Sequence, residues 1–376
     1  MTDGTSEPIV ARGSGKQLDS IQVARGFAAL AVVAFHSLDI EHKYFGGASI
    51  LPGFFDGGQA GVDLFFVISG FVMVLTTRGK HGSPREVGRF AWNRLFRIYP
   101  TYWAYYLLLL PIVFFFPTMI NSSMGNQIDL FSSFFLLPSD TLPILLVAWT
   151  LTLELWFYVV FCVILLLPQR FLVPALGLWF VVLVIVNWSG PIAASPYIAV
   201  PSNAMAIEFI FGGITALLFR KISRPVAAVL ALAGLAVIIF FGTTPPQSIT
   251  AGAGLPRPLI MGVGFALLLA AFTAFEHRGS IGVLRRFAIL GDMSYSVYLG
   301  HILVLSAMGR IWPAIAGPLI GNPLAMLGWW ILTLAAVLAF GYLSYRLVEK
   351  PTTALSRRWR ARVFHEGAPS KRSVSE

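Results

Sequence analysis

The stretch "RGFAALAVVAFH", residues 25–36, sets an arginine and a histidine at the two ends of ten apolar or small residues. Read as a helix, the step from Arg25 to His36 gives about 16 Å of rise and about 20° of net rotation, so both side chains lie on one face. A helix with a cation at its start, an imidazole well inside it and no other polar face reads as a membrane span with chemistry on one side.

The rest of the chain agrees. Its 376 residues are 57% hydrophobic and 12% charged, about half the charged fraction of a soluble globular domain. Apolar stretches of roughly 17–25 residues recur, each long enough to cross a bilayer as a helix. They predict ten spans, at 21–40, 60–77, 99–120, 144–167, 171–190, 204–219, 226–242, 258–275, 289–309 and 324–346, the sixth and seventh being short. The expected fold class is all-α: a polytopic integral membrane helical bundle. It is organised as a polar N-tail at 1–20, a transmembrane domain at 21–351 and a basic C-tail at 352–376. Residues 1–20 lack the apolar core of a cleavable signal, so the first span is expected to act as its own insertion signal.

With the N-terminus inside, 24 of the 27 lysines and arginines fall on the inner side, and only Lys43, Arg257 and Arg310 fall outside. This asymmetry predicts an even number of spans, both termini cytoplasmic, in the inner (plasma) membrane. The net charge of +10 points to topology and anionic lipid ahead of nucleic acid. "SRRWRAR" at 356–362 reads as an anchor on that lipid. The single cysteine, Cys162, excludes an intramolecular disulfide, a multi-cysteine metal site and a CxxC redox pair. It reads as a small buried hydrophobe, and no metal is expected.

Ionisable groups inside a membrane are costly and face the bundle interior, so they are the first place to look for chemistry. Counted from the span ends, three reach a similar depth near the midplane: His36, Glu154 in "WTLTLELWFY" (149–158), and His301 in "GDMSYSVYLGH" (291–301). An imidazole base with a carboxylate to orient it is the composition of a proton-transfer site. The plainer alternative is three buried polar groups bonded to neighbouring helices. Asp63 and Glu208, near outer span ends, are either interfacial residues or the lining of an acceptor entrance. Asp292 is placed to cap the ninth helix. Ser69, beside Gly70 in "GVDLFFVISGF" (61–71), reads as close helix packing. In "RGKHGSPREVGRFAWNRLFRIYP" (78–100), Arg94 and Arg97 are three apart on one face of a helix leading into the third span. That spacing suits planar recognition of phosphates, or plain anchoring.

Six segments in order resemble acyltransferase family 3: Arg25 with His36, "GVDLFFVISGF", "NRLFRIYP", "WTLTLELWFY", "GDMSYSVYLGH" and "YRLVEKP" (345–351). These integral membrane proteins O-acylate sugars of cell-surface and exported polysaccharides, and some macrolides. The similarity is to the short exopolysaccharide-acetylating type without a C-terminal hydrolase-like domain. That type implies transfer completed within the membrane domain, or acyl groups handed to a separate partner. The resemblance implies a cytoplasmic acyl-CoA donor, acetyl-CoA being the simplest, and an acceptor hydroxyl on a polysaccharide or lipid-linked sugar. It implies that Arg25, Arg94 and Arg97 hold the donor's phosphates and that His36 is the general base. Glu154 then orients His36 or stabilises its imidazolium, and Asp63, Tyr298 and His301 line the acceptor path. For His301, holding the ninth span against the first is the reading placed ahead of lining that path. Tyr295, Tyr298 and Asn93 are the candidate oxyanion donors. "YRLVEKP" is expected to end the last helix at Pro351, with Glu349 and Lys350 in the headgroup zone. Two other classes stay open. A transporter or flippase of a lipid-linked saccharide would use the midplane groups equally well, although it predicts an internal repeat that the sequence does not display. A non-catalytic subunit of a polysaccharide export complex would tolerate loss of His36.

Overall fold

In hydrocarbon every backbone N–H and C=O must be satisfied within its own segment, which favours helices. The computed structural model of the chain is all-α accordingly. It describes residues 18–45, 50, 53–120, 125–190, 195–242, 254–279, 281–282 and 284–365. Most of the expected N-tail and the last part of the expected C-tail lie outside the described residues. Eleven helices of 13 or more residues are described: α1 (Asp19–Tyr44), α2 (Gly61–Thr77), α3 (Pro84–Phe115), α4 (Trp149–Leu166), α5 (Leu172–Val186), α6 (Ala206–Leu218), α7 (Arg224–Gly242), α8 (Pro256–His277), α9 (Ser294–Ala316), α10 (Pro323–Ser344) and α11 (Lys350–Val363).

Among the described residues, nine helices are long and apolar enough to cross a membrane. Nine of the ten expected spans coincide with them. The remaining one, the sixth, expected at 204–219, is α6, whose 13 residues amount to about 20 Å of helix, against a hydrocarbon core of about 30 Å. Its place is set by glycines. A Cβ on Gly70 of α2 would lie 1.8 Å from the Phe209 carbonyl oxygen, and one on Gly212 of α6 would lie 1.8 Å from that of Val67. The two backbones therefore touch, which only small residues permit. Gly212→Ala forces them apart. The expected result is a loss of about 1–3 kcal/mol or more, read as a lower thermal midpoint in detergent. An unchanged midpoint would mean that the α2–α6 contact does not hold the bundle.

The helix expected to lead into the third span is continuous with it and starts at Pro84, a residue well suited to a first helical turn. Two local expectations are corrected. Asp292 does not cap α9: its Oδ1 accepts from Gln22 Nε2 at 3.0 Å and ties α1 to the segment before α9. Pro351 does not end the last helix. A single π-helical turn, Tyr345–Glu349, joins α10 to α11, and Pro351 falls in the first turn of α11. There its missing N–H is no loss, and the wider turn relaxes the ladder ahead of its ring. Glu349 is consequently turned inward and buried, not set among headgroups.

Cross-links at one end of the bundle tie its termini and turns together. Asp19 and Ser20 N–H both donate to the Glu276 carboxylate at 2.8 Å. Arg285 pairs with Asp19 at 3.1 Å, Arg278 donates to the Ile222 carbonyl at 2.8 Å, and Gly79 N–H donates to Gln169 Oε1 at 3.0 Å. This is called the basic end below. The core is aromatic, with Phe71, Phe157, Phe161, Phe209 and Trp329 fully buried, while Phe115, Leu232 and Leu332 stand exposed on the outside. A bundle that buries aromatics and presents leucine and phenylalanine outward has lipid as its solvent. The chain is a multi-pass membrane protein.

Candidate active site

A cavity of about 100 Å³ opens between α1, α2, α3, α4 and α9. Three arginines line it, Arg25 from α1 and Arg94 and Arg97 from α3. Helical spacing alone puts the last two on one wall. Arg94 lies over the rings of Phe90 and Tyr158, at 5.3 and 5.6 Å. Arg97 lies 5.4 Å from the Tyr295 ring, and its Nη1 donates to Glu349 Oε1 at 2.6 Å. Glu349 Oε2 accepts from Ser296 Oγ at 2.7 Å. Such stacking holds guanidinium planes in fixed orientation. Arg25 makes no hydrogen bond or ion pair among the described residues. The one carboxylate on the cavity wall is Glu154, and Glu349 compensates Arg97 from behind. The cavity therefore carries excess positive charge within low-dielectric walls, which concentrates anions.

Glu154 is bound within this cavity. Its Oε1 accepts from Ser69 Oγ and from Tyr158 OH at 2.5 Å. No hydrogen bond joins it to His36 among the described residues. Ser69 thus does more than pack: it reaches across to α4.

His36 lies beyond the cavity, against His301. Their ring centroids are 5.3 Å apart with planes inclined by 34°. His301 is fully buried, and its Nδ1 faces the carbonyl oxygens of Tyr298 at 2.6 Å and Val297 at 3.3 Å. A carbonyl can only accept, so Nδ1 carries the proton and Nε2 keeps its lone pair. Nε2 is buried without a partner among the described residues. His36 repeats this pattern with a carboxylate, its Nδ1 lying 3.3 Å from Asp39 Oδ2. The His36 side chain is 19% exposed and that of Asp39 59%, so the pair is reachable from outside the bundle. Asp39, not Glu154, is the carboxylate beside His36.

An aromatic wall stands between cavity and histidines. The Tyr298 ring is 5.6 Å from Phe65 and 5.9 Å from His301, and both Phe65 and Tyr298 line the cavity. Both tyrosine candidates for the oxyanion already donate elsewhere, and Asn93 does not line this cavity. Tyr298 OH bonds Thr150 Oγ1 at 2.8 Å and donates to the Val147 carbonyl at 3.1 Å. Tyr295 OH donates to the Ile98 carbonyl at 2.9 Å. Asn93 Oδ1 accepts from Arg360 at 2.8 Å.

Asp63 is elsewhere. It is fully buried, and both its oxygens are held by Arg257, at 3.2 and 2.8 Å. Glu208 is fully buried beside it, against the Asp63 carboxylate. Of the eight residues singled out in the sequence, the cavity gathers Arg25, Arg94, Arg97, Glu154 and Tyr298. His36 and His301 form the adjoining pair, and Asp63 belongs to a separate ion-pair cluster. Asp39, Ser69, Tyr158 and Glu349 were not singled out for the site. Only Asp39, three residues after His36 on the same helix, carried a readable sign. Among the described residues no group of three histidines, cysteines or carboxylates is placed to hold a metal ion.

Residues 18–346 match the model of the family described as "Acyltransferase domain". The chain is 31% identical over 325 residues to the exopolysaccharide production protein ExoZ of Rhizobium meliloti (strain 1021), covering 82% of this chain and 93% of that protein. It is 26% identical to the acyltransferase MdmB of Streptomyces mycarofaciens, over 88% of each chain. It is 25% identical to the peptidoglycan O-acetyltransferase OatA of Listeria monocytogenes serovar 1/2a, over 90% of this chain and 56% of that protein. No solved structure matches significantly. The family match takes in the arginine-lined cavity and the histidine pair alike, and the chain belongs to this acyltransferase family.

Proposed function

We propose that the protein is a membrane O-acyltransferase that moves an acyl group, in the simplest case acetyl, from acyl-CoA to a hydroxyl of a cell-surface or exported polysaccharide sugar. The relatives named for exopolysaccharide production and peptidoglycan O-acetylation point to that acceptor class. In this reading the basic end faces the cytoplasm, both termini are inside, and the membrane is the inner membrane. One observation carries it: Arg25 makes no hydrogen bond or ion pair among the described residues and stands in a cationic cavity whose wall, Phe65 and Tyr298, adjoins the His36–His301 pair.

The donor's phosphates bind at Arg25, Arg94 and Arg97, and its arm extends along the cavity. The Phe65 and Tyr298 side chains turn aside to let the thioester meet His36. The acceptor hydroxyl oxygen attacks the thioester carbonyl carbon while His36 Nε2 takes its proton. Asp39 holds the opposite Nδ1–H and stabilises the imidazolium. The carbon–sulfur bond then breaks, and the CoA thiolate takes the proton from His36 and leaves as the thiol. His301 Nε2 accepts a hydrogen bond from the acceptor and positions it. Glu154 acts on the cavity, by fixing Ser69 and Tyr158.

The test is purified protein with acetyl-CoA and a lipid-linked or soluble saccharide. Direct transfer gives thiol release only when acceptor is present, whereas a burst without acceptor would assign the acyl group to His36 itself. Saccharide transport with no thiol release would return the protein to the flippase reading. Arg25→Ala is expected to raise the KM for acetyl-CoA with little change in kcat. A hydrogen bond to a charged group contributes about 1.5–3 kcal/mol, so the rise is about 10- to 100-fold. An unchanged KM would remove Arg25 from the donor site.

A further inference from the structure

A groove of about 570 Å³ opens on the lipid-facing side of α6, α7 and α8. Ile214 and Leu218 of α6 form one wall, Val226 and Leu230 of α7 the other, and Val263 and Ala270 of α8 the floor. Small residues set its shape. α7 lies close on α8, with Ala227 packed against Ala271 and Ala274. Higher up, a Cβ on Gly234 would lie 2.7 Å from the Gly264 carbonyl oxygen. α6 is drawn instead toward α2 by Gly70 and Gly212. The two walls lean on different partners and leave a trough between them.

The turn between α6 and α7 closes the trough at the basic end. Arg278 Nε donates to the Ile222 carbonyl at 2.8 Å and Arg224 Nη2 to the Arg278 carbonyl at 2.6 Å, which pins this turn to the end of α8. Both arginines are thereby engaged. Lys221 is not: it lines the groove, is exposed, and makes no hydrogen bond or ion pair among the described residues. No carboxylate lines the groove among those residues. From Phe211 to Lys221 the α6 wall rises about 15 Å, half of a hydrocarbon core of about 30 Å. The groove therefore runs the depth of one leaflet, with a cation at headgroup level.

Its occupant must be apolar over that depth and anionic at the basic end. A free anion would leave the apolar walls unfilled. A second copy of this chain, with its net charge of +10, would bring further cations to Lys221. We infer that the groove binds one anionic phospholipid, an acyl chain lying in the trough and the phosphate at Lys221, with Ser223 Oγ as a second donor. The lipid fills the space beside α6, which is too short to span the membrane by itself. The groove shares no lining residue with the arginine cavity, so this lipid is not the acyl acceptor, and its binding is independent of acyl transfer.

Native mass spectrometry of the purified full chain, titrated in detergent with dioleoylphosphatidylglycerol and with dioleoylphosphatidylcholine, tests it. One equivalent of phosphatidylglycerol should be retained about fivefold more tightly than phosphatidylcholine, the preference one lysine gives near an anionic headgroup. Lys221→Gln should erase that preference. Ile214→Trp, which fills the trough from an exposed position, should weaken both lipids alike. If Ile214→Trp fails to fold, Lys221→Gln decides alone, since its side chain is exposed. Equal retention by the wild type, a preference that survives Lys221→Gln, or full retention by folded Ile214→Trp overturns the inference. Displacement of the lipid by glycerol phosphate alone would make this a site for a free anion, and displacement by a lower concentration of polyprenyl phosphate would assign it to a lipid carrier; either result overturns it too.

Discussion

His36→Ala lowers acyl transfer by about 10²- to 10⁴-fold, the range for removal of a positioned general base, and leaves a folded protein that still binds CoA. The fold survives because little depends on this ring. His36 is partly exposed, its one polar partner among the described residues is the exposed Asp39, and His301 is held by the carbonyls of its own helix. CoA binding survives because His36 does not line the arginine cavity. The variant also leaves an imidazole-sized gap beside His301, so free imidazole should restore part of the lost rate. Asp39→Asn is expected to cost less, about tenfold, because it keeps the geometry and removes only the charge that stabilises the imidazolium. A purified, folded His36→Ala variant with near wild-type turnover would end the assignment. So would a loss of CoA binding equal to the loss of rate, since His36 would then act on the cavity and not on the reacting atoms.

Much of this site is written in helical periodicity. The pairing of Arg94 with Arg97, and the alignment of Arg25 below His36, need only the rise and turn of one helix. The link from His36 to Glu154 needed more. Both residues count to a similar depth, but depth does not fix azimuth: α4 turns Glu154 toward Ser69 and the arginines, while α1 turns His36 toward α9. Asp39 was nearer in sequence and supplied the carboxylate instead. Glu349 shows a different limit. A charge two residues before a proline marks a span end under ordinary helix rules, and a single π turn was enough to bring it inside, against Arg97 and Ser296. The short α6 shows a third. Hydropathy marks the apolar run, whereas the contact that seats it depends on Gly70 and Gly212 meeting carbonyls of a helix far away in sequence.

Arg257→Met is expected to destabilise the bundle by about 3–5 kcal/mol, the usual cost of removing one partner from a buried ion pair. The guanidinium grips both oxygens of a fully buried Asp63, and a second fully buried acid, Glu208, lies against that carboxylate. Without Arg257, two acidic groups share an apolar site that holds one cation in the wild type, and their repulsion in a low dielectric adds to the lost attraction. The thermal midpoint in detergent should fall sharply, or the variant should fail to accumulate. Removing the second charge reverses the sign of the problem: Asp63→Asn combined with Arg257→Met leaves only Glu208 to be neutralised, and should recover most of the loss. A single variant as stable as the wild type would show that the pair contributes nothing to the fold. The double variant also decides what Asp63 is for. If it recovers stability and transfers acyl groups at a near wild-type rate, Asp63 is a strut between α2 and α8. If it recovers stability and still fails to transfer, the carboxylate touches the acceptor, and the path to His36 runs past Asp63 and Arg257.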